Sequence, residues 1–319
     1  MQQFIPQTLF DGPALTFDFP ALLIGIAEYE EGPTGCSVFL FPERVSTSID
    51  IRGGGAGTMG MVGDEVRLHA ICFAGGSLPG LEVVSGVTAA LWEQWGRPVG
   101  QYAIGHGASI NDYRRRNNSV YPDYLLGRAA VSHARAGYFS LGARGAGRLA
   151  NCGGLFGIER GEPSGQGAAF QQIGPTKIAV FVVVNSFGVI LDRSGQVVRG
   201  NRHPQTKERR HPLLEMQMLH ALGEPIPSPF GNTTLTLVVT NQRLSVQALR
   251  HLGRQVHTAM GRCIYPFHTI QDGDVLYAVT TNEVDNPALG GVALGILASE
   301  LAWDAILASA SEPEKNGSL

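Results

Sequence analysis

The sequence predicts a layered α/β fold, with sheet at the centre and helices covering it. Three segments carry that expectation. Residues 178–184 (IAVFVVV) are an unbroken apolar run of the kind buried on both faces of a sheet. Residues 234–240 alternate Thr234, Thr236, Val238 and Thr240 against Leu235, Leu237 and Val239, the period of two that marks a strand. Leu81, Val84, Val87, Leu91 and Trp95 fall at helical spacing, which predicts an amphipathic helix resting on sheet.

The remaining elements can be placed in chain order. Residues 21–26 (ALLIGI) and 36–41 (CSVFLF), separated by Gly-Pro and Pro-Glu breaks, read as strands. A strand at 70–74 (AICFA) runs through Gly75-Gly76-Ser77 into the amphipathic helix, and a second helix is expected at 124–136. Residues 192–212 are polar and basic, and 225–230 hold three prolines, so this stretch is expected to be an exposed connector. Ser245 can cap a helix carrying Leu249, Leu252, Val256, Ala259 and Cys263 on one face. A strand at 275–280 and an Ala/Gly-rich helix with Leu294, Leu297, Leu301 and Leu307 precede a polar tail at 311–319.

Composition narrows the function classes. Of 319 residues, 44% are hydrophobic and only 16% charged, against about 25% charged in an average soluble protein, so disorder is not expected. Glycine occurs 42 times, nearly twice its usual share of about 7%, and predicts many tight turns. A formal charge of −3 gives no field to draw a polyanion, so nucleic acid is not an expected partner. The four cysteines, Cys36, Cys72, Cys152 and Cys263, form no C-x-x-C pair, which fits a reducing compartment. The start lacks a basic n-region, and the longest apolar run is far below the roughly 20 residues that span a bilayer. A cytoplasmic protein without a membrane partner is expected.

Familiar motifs fail on context. Gly55 to Gly60 match G-x-G-x-x-G and 145–150 its alanine-ending variant, but neither is followed by a helix whose amides could meet a pyrophosphate. Ser77 lies between strand and helix, yet Pro79 occupies the position where a nucleophile elbow needs glycine. The histidines offer no H-E-x-x-H, and His251 and His257 lie on different helical faces, so neither metal nor cofactor is expected. Arg114-Arg115-Arg116 read as a solvated or ion-paired face. Asp272-Gly273-Asp274 taken alone are turn residues. Asn232-Thr233 is different in one respect. A cut between them would give Thr233 an α-amine, of pKa about 7.7 to 8.0, beside its own hydroxyl, so that one residue supplies both nucleophile and base.

Nine segments, in order, sharpen this: 32–43 (GPTGCSVFLFPE), 49–58 (IDIRGGGAGT), 73–87 (FAGGSLPGLEVVSGV), 122–134 (PDYLLGRAAVSHA), 141–150 (LGARGAGRLA), 182–193 (VVVNSFGVILDR), 231–241 (GNTTLTLVVTN), 268–281 (HTIQDGDVLYAVTT) and 299–307 (SELAWDAIL). Together they resemble the self-processing aminopeptidase family that includes L-aminopeptidase/D-esterase and the β-peptidyl aminopeptidases. The resemblance is strongest to the branch that hydrolyses 6-aminohexanoate (nylon) oligomers. It implies an N-terminal-nucleophile-like αββα sandwich, a single domain over 1–319 that cuts itself into an α chain (1–232) and a β chain (233–319). It further implies Thr233 as nucleophile, Asn185 beside the reacting carbonyl, Asp272 and Asp274 supporting the nucleophile, and Tyr113 near the site.

On this basis the expected activity is hydrolysis of linear ω-amino-acid amides in an apolar pocket, without a cofactor, by a homo-oligomer, expected to be a tetramer of αβ units. Aminopeptidase action on β- or D-amino peptides and an uncleaved binding protein of the same fold are the alternatives. One departure bears on the last. The family has a lysine soon after the segment matching 147–153, where this chain reads Gly154-Leu155-Phe156-Gly157. Arg148 and Arg160 are the candidates to replace it.

Overall fold

A computed structural model describes residues 4–61, 63, 65–225 and 231–310. Most of the connector at 225–230 and the tail at 311–319 lie outside the described residues. Eight strands carry the architecture: β1 (Leu23–Tyr29), β2 (Thr34–Gly53), β3 (Val66–Ala74), β4 (Gly105–Ser109), β5 (Gln166–Ile173), β6 (Thr176–Asn185), β7 (Thr233–Gln242) and β8 (Gly273–Val284). The helices are α1 (Glu82–Gln94), α2 (Tyr124–Ser132), α3 (Pro212–Leu222), α4 (Val246–Ala259) and α5 (Gly291–Ser309).

The strands pair in the order β5-β6-β7-β8-β2-β3-β4, with β1 also on β2, and only the β7–β8 and β3–β4 pairs are parallel. The 20-residue β2 joins two halves: its first part pairs with β1 and β3, its last with β8. Strand alternation then sorts side chains into layers. Phe181, Val183, Leu235, Leu237, Tyr277, Phe39 and Phe73 share one buried cluster between the halves. The opposite faces of β6–β8 pack Val180, Val182, Val238 and Leu276 against α4 and α5. Those of β1–β3 pack Val38, Leu40 and Cys72 against α1 and α2. The layers therefore run helix, sheet, sheet, helix.

Aromatic rings tie the two halves together. Phe181 of β6 lies 5.1 Å from Phe39 of β2, which lies 5.2 Å from Phe73 of β3. Rings at such spacings add to their area burial, and truncating a buried Phe to Ala costs about 3–5 kcal/mol.

Several sequence expectations need correction. The second helix stops at Ser132, because Arg135 and Ala136 pair with Leu23 and Ile24 and cover the edge of β1. Residues 192–212 are not simply an exposed connector. Val197–Arg199 pairs with Val189–Leu191, Arg199 and Asn201 are buried, and Arg209 meets the buried Glu162 at 2.6 Å. At 19 residues with a mean hydropathy of 1.5, α5 is long and apolar enough to cross a membrane, which no single apolar run suggested. Half of it is buried inside the fold, where Leu294, Leu301, Ala302 and Ile306 form core.

Candidate active site

The site grows from the paired ends of β6 and β7. These strands are antiparallel, and their register sets Asn185 directly opposite Thr233. Asn185 follows the alternation of Phe181 and Val183, and Thr233 that of Leu235 and Leu237. Both side chains therefore belong to the inner, inter-sheet face. Directly opposed residues hold their Cβ atoms about 4.5–5.5 Å apart, within reach of one reacting group. Both are nearly excluded from solvent, at 3% and 5% exposure.

Neighbouring backbone fixes the Asn185 amide. Its Oδ1 accepts from the Asn151 N–H at 3.1 Å, so its NH₂ is turned the other way, towards the Asn111 carbonyl at 3.4 Å. That long bond leaves a rigid donor available to a developing oxyanion. Asn185, Asn232 and Asn151 line a small cleft of about 30 Å³, closed on other sides by Asn111, Leu149 and Ile158. The walls are mixed, with Leu149 and Ile158 contributing apolar surface beside the asparagines.

The two aspartates lie at the head of β8, beside the start of β7. Asn232 bridges Asp272 in parallel register, and the Gly273 N–H donates to the Asn232 carbonyl at 2.8 Å. Oδ2 of Asp272 accepts from the Thr269 N–H at 2.7 Å, while its Oδ1 is buried with no hydrogen-bond partner among the described residues. Burial, followed by the nearby Asp274 charge, pushes the Asp272 carboxyl well above the usual carboxylate range. Asp274 has a different task. Its Oδ1 accepts from the Thr234 N–H at 2.7 Å and its Oδ2 meets His268 Nδ1 at 2.8 Å, so it clamps the backbone one residue beyond Thr233.

The glycine-rich segment also finds its use here. Gly55 N–H donates to the Asp272 carbonyl at 3.0 Å. A Cβ on Gly53, which has a φ of 81°, would stand 2.1 Å from that same oxygen, and one on Gly273 2.4 Å from the Gly55 carbonyl. These glycines let two backbones close around Asp272.

Other sequence candidates are placed less centrally. Tyr113 does not line the cleft; the Arg116 guanidinium covers its ring at 4.2 Å, and burial raises its phenol pKa. Neither proposed substitute for the family lysine reaches the cleft. Arg148 pairs with Glu28 at 3.0 Å and Glu30 at 2.8 Å, and Arg160 with Glu215 at 2.8 Å. The cations that do line it are Arg114 and Arg115, exposed as expected of a solvated run whose third member, Arg116, is ion-paired with Asp112.

Comparison with known proteins gives this geometry a context. The model of peptidase family S58 matches residues 15–313. The chain belongs to peptidase family S58. S58 membership makes it a hydrolase of amide bonds. Among its relatives, the 6-aminohexanoate-oligomer endohydrolase of Agromyces sp. (strain KY5R) is 45% identical over 305 residues, 92% of this chain and 85% of that one. The enzyme of that name from Kocuria sp. (strain KY2) is 44% identical over 308 residues, 93% and 86% of the two chains. Among solved structures, the L-aminopeptidase D-Ala-esterase/amidase of Ochrobactrum anthropi superposes with a TM-score of 0.65 at 14% identity, covering 96% of this chain and 89% of that one. Its fold is a variant of the Ntn-hydrolase fold, and this S58 member shares that architecture.

Proposed function

We propose that this S58 hydrolase cuts itself between Asn232 and Thr233 and then hydrolyses linear ω-amino-acid amides, 6-aminohexanoate oligomers foremost, through Thr233. The observation that carries the reading is the Asn185–Thr233 pair across β6 and β7, where Asn185 and Asn232 line the cleft and the unpartnered Asp272 Oδ1 lies close to the same strand end. The 45% identity to a 6-aminohexanoate-oligomer endohydrolase supports the substrate class.

Self-cleavage consumes one water and breaks the bond from the Asn232 carbonyl carbon to the Thr233 nitrogen. The freed α-amine accepts the proton of its own hydroxyl as Oγ attacks a substrate carbonyl. Asn185 donates to the oxyanion, an interaction whose loss typically costs about 100- to 1,000-fold in rate. The tetrahedral species collapses, its C–N bond breaks, and the proton leaves with the product amine. Water then attacks the threonyl ester, releasing the acid and restoring the hydroxyl. Asp272 and Asp274 hold the amine and the adjoining backbone in place. Strand β7 is hydrogen-bonded between β6 and β8, so the new terminus would stay seated after the cut.

The mature enzyme is a cytoplasmic homo-oligomer, a tetramer of αβ units. Four buried, unpaired cysteines suit a reducing compartment. Helix α3 exposes Leu213, Leu214, Met216, Met218 and Leu222, an apolar face suited to a second copy.

A denaturing gel with N-terminal sequencing tests the reading. Two chains are expected, the smaller beginning Thr-Thr-Leu-Thr, with shortened oligomers among the products of 6-aminohexanoate oligomers. A single chain that persists through long incubation without hydrolysis overturns it.

A further inference from the structure

The three consecutive arginines at 114–116 look equivalent in sequence, but the fold separates them. Arg116 is an anchor. Its guanidinium, 2% exposed, meets the buried Asp112 carboxylate at 2.8 Å and also bonds the Asn118 side chain and the Val120 carbonyl. Asp112 is fully engaged, since it also accepts from Thr34 Oγ1 at 2.8 Å and the Gly76 N–H at 3.0 Å. This lattice pins the short helical turn Tyr113–Arg115 and fixes where its side chains start.

Arg114 and Arg115, both exposed, line the cleft together with Asn185 and Asn232. Neither forms an ion pair or hydrogen bond with any described residue, and the acid among the cleft residues, Asp112, is committed to Arg116. Partial burial weighs against the charged form of Arg115, which heightens its demand for a counter-charge. Two exposed, unpaired guanidiniums at the rim of the cleft attract carboxylate, which they can bind in paired N–H···O fashion, and repel ammonium.

The position of Asn232 says which part of a substrate meets them. In the uncut chain Asn232 supplies the carbonyl that is attacked, so a substrate's acyl group must later occupy the place of Asn232. That place adjoins Arg114 and Arg115. Resting on the function proposed above, we infer that Arg114 and Arg115 form a cationic wall of the acyl subsite, selecting acyl groups that end in carboxylate over those that end in a free ammonium. In an oligomer cut internally the acyl residue's own nitrogen is an uncharged amide, so the wall opposes only cleavage beside the free amino terminus. It thereby disfavours stepwise aminopeptidase action, and it opens the site to amides of ω-dicarboxylic acids.

The test compares three p-nitroanilides of one length: adipoyl (carboxylate end), hexanoyl (neutral) and 6-aminohexanoyl (ammonium end). In the self-processed protein kcat/KM should fall in that order, with at least about a tenfold ratio between the first and last. R114Q/R115Q should bring that ratio within about twofold of one, and R114K/R115K should keep most of it. A ratio unaffected by the glutamine pair, or a uniform fall for all three substrates, overturns the inference. Calorimetric binding of adipate against 6-aminohexanoate reads the same preference without turnover. If no substrate is cleaved but adipate binds preferentially and R114Q/R115Q abolishes the preference, the wall stands and the hydrolytic reading falls. If wild-type protein shows no preference for adipate, the wall falls.

Discussion

Asn185 and Thr233 face each other across adjacent antiparallel strands, and the Asn185 amide is oriented by the Asn151 backbone N–H at 3.1 Å. The sheet ladder thus joins the proposed donor and nucleophile, so neither depends on a loop for its position.

Thr233→Ala should therefore leave one intact chain and reduce hydrolysis to background, while the protein still melts cooperatively. Asn185→Ala should fold, lose about 100- to 1,000-fold in kcat, and lose about 1–3 kcal/mol of stability as the Asn151 N–H is orphaned. Single-turnover kinetics and thermal melts check both. Near-normal turnover in the Asn185 variant would remove it from the reaction.

Asp272 predicts a pH dependence with a definite sign. Burial, reinforced by Asp274, raises its pKa in the folded state, so the unfolded chain gives up the proton first. Its contribution to stability is complete below the ordinary carboxylate value of about 4 and is lost as pH rises from there through the raised folded-state pKa. Asp272→Asn has no proton to lose and should gain stability relative to wild type across that window, by at least about 1 kcal/mol at its upper end. Denaturant melts at a series of pH values measure this, and a difference that stays flat with pH would show that Asp272 is not held protonated.

The layered fold was legible in the sequence because its strands and helices have strong periods, although the alternation of β7 does not say what covers each face. Thr234, Thr236 and Thr240 are fully buried beneath the helical layer. Threonine is small and β-branched, so it fits a strand packed under helices as well as one facing water. Helix α3 escaped notice because its apolar residues are exposed rather than gathered on a core-facing stripe. The grouping of Asn185 with Thr233 required long-range register, which local periodicity does not encode. The cleft arginines were hidden by their uniformity, although the four-residue spacing of Asp112 and Arg116 was a usable signal for which one would be tied down.

His268 meets Asp274 Oδ2 at 2.8 Å and lies edge-to-face with His257, ring centres 4.4 Å apart, and His257 in turn meets Asp50 at 2.8 Å. His268 has a φ of 58°, in the left-handed region, so its placement is held by these contacts rather than by backbone preference. Under the proposed function it would act as a positioning residue through Asp274. His268→Ala should lower kcat about 10- to 100-fold, the worth of a hydrogen bond to a charged group, with KM changed by less than about threefold. His268→Asn, which tolerates the backbone and can donate to the carboxylate, should recover part of the loss. Equal losses in kcat and in thermal stability, without rescue by asparagine, would mark His268 as merely structural.

Gly53 offers a test of the glycine-rich segment that does not touch a reacting group. A methyl there would lie 2.1 Å from the Asp272 carbonyl, on a backbone with a φ of 81° that alanine adopts poorly. The clash involves backbone on both sides, so relief requires Asp272 to move. Gly53→Ala should consequently slow self-cleavage at least about tenfold while leaving the distant Phe39–Phe181 contact in place, so that near-ultraviolet dichroism of the aromatic core stays native. Gly12→Ala, also at positive φ but with nothing within 4 Å, supplies the control for backbone strain alone. If both variants process at the same rate, the close approach to Asp272 has no part in setting the site.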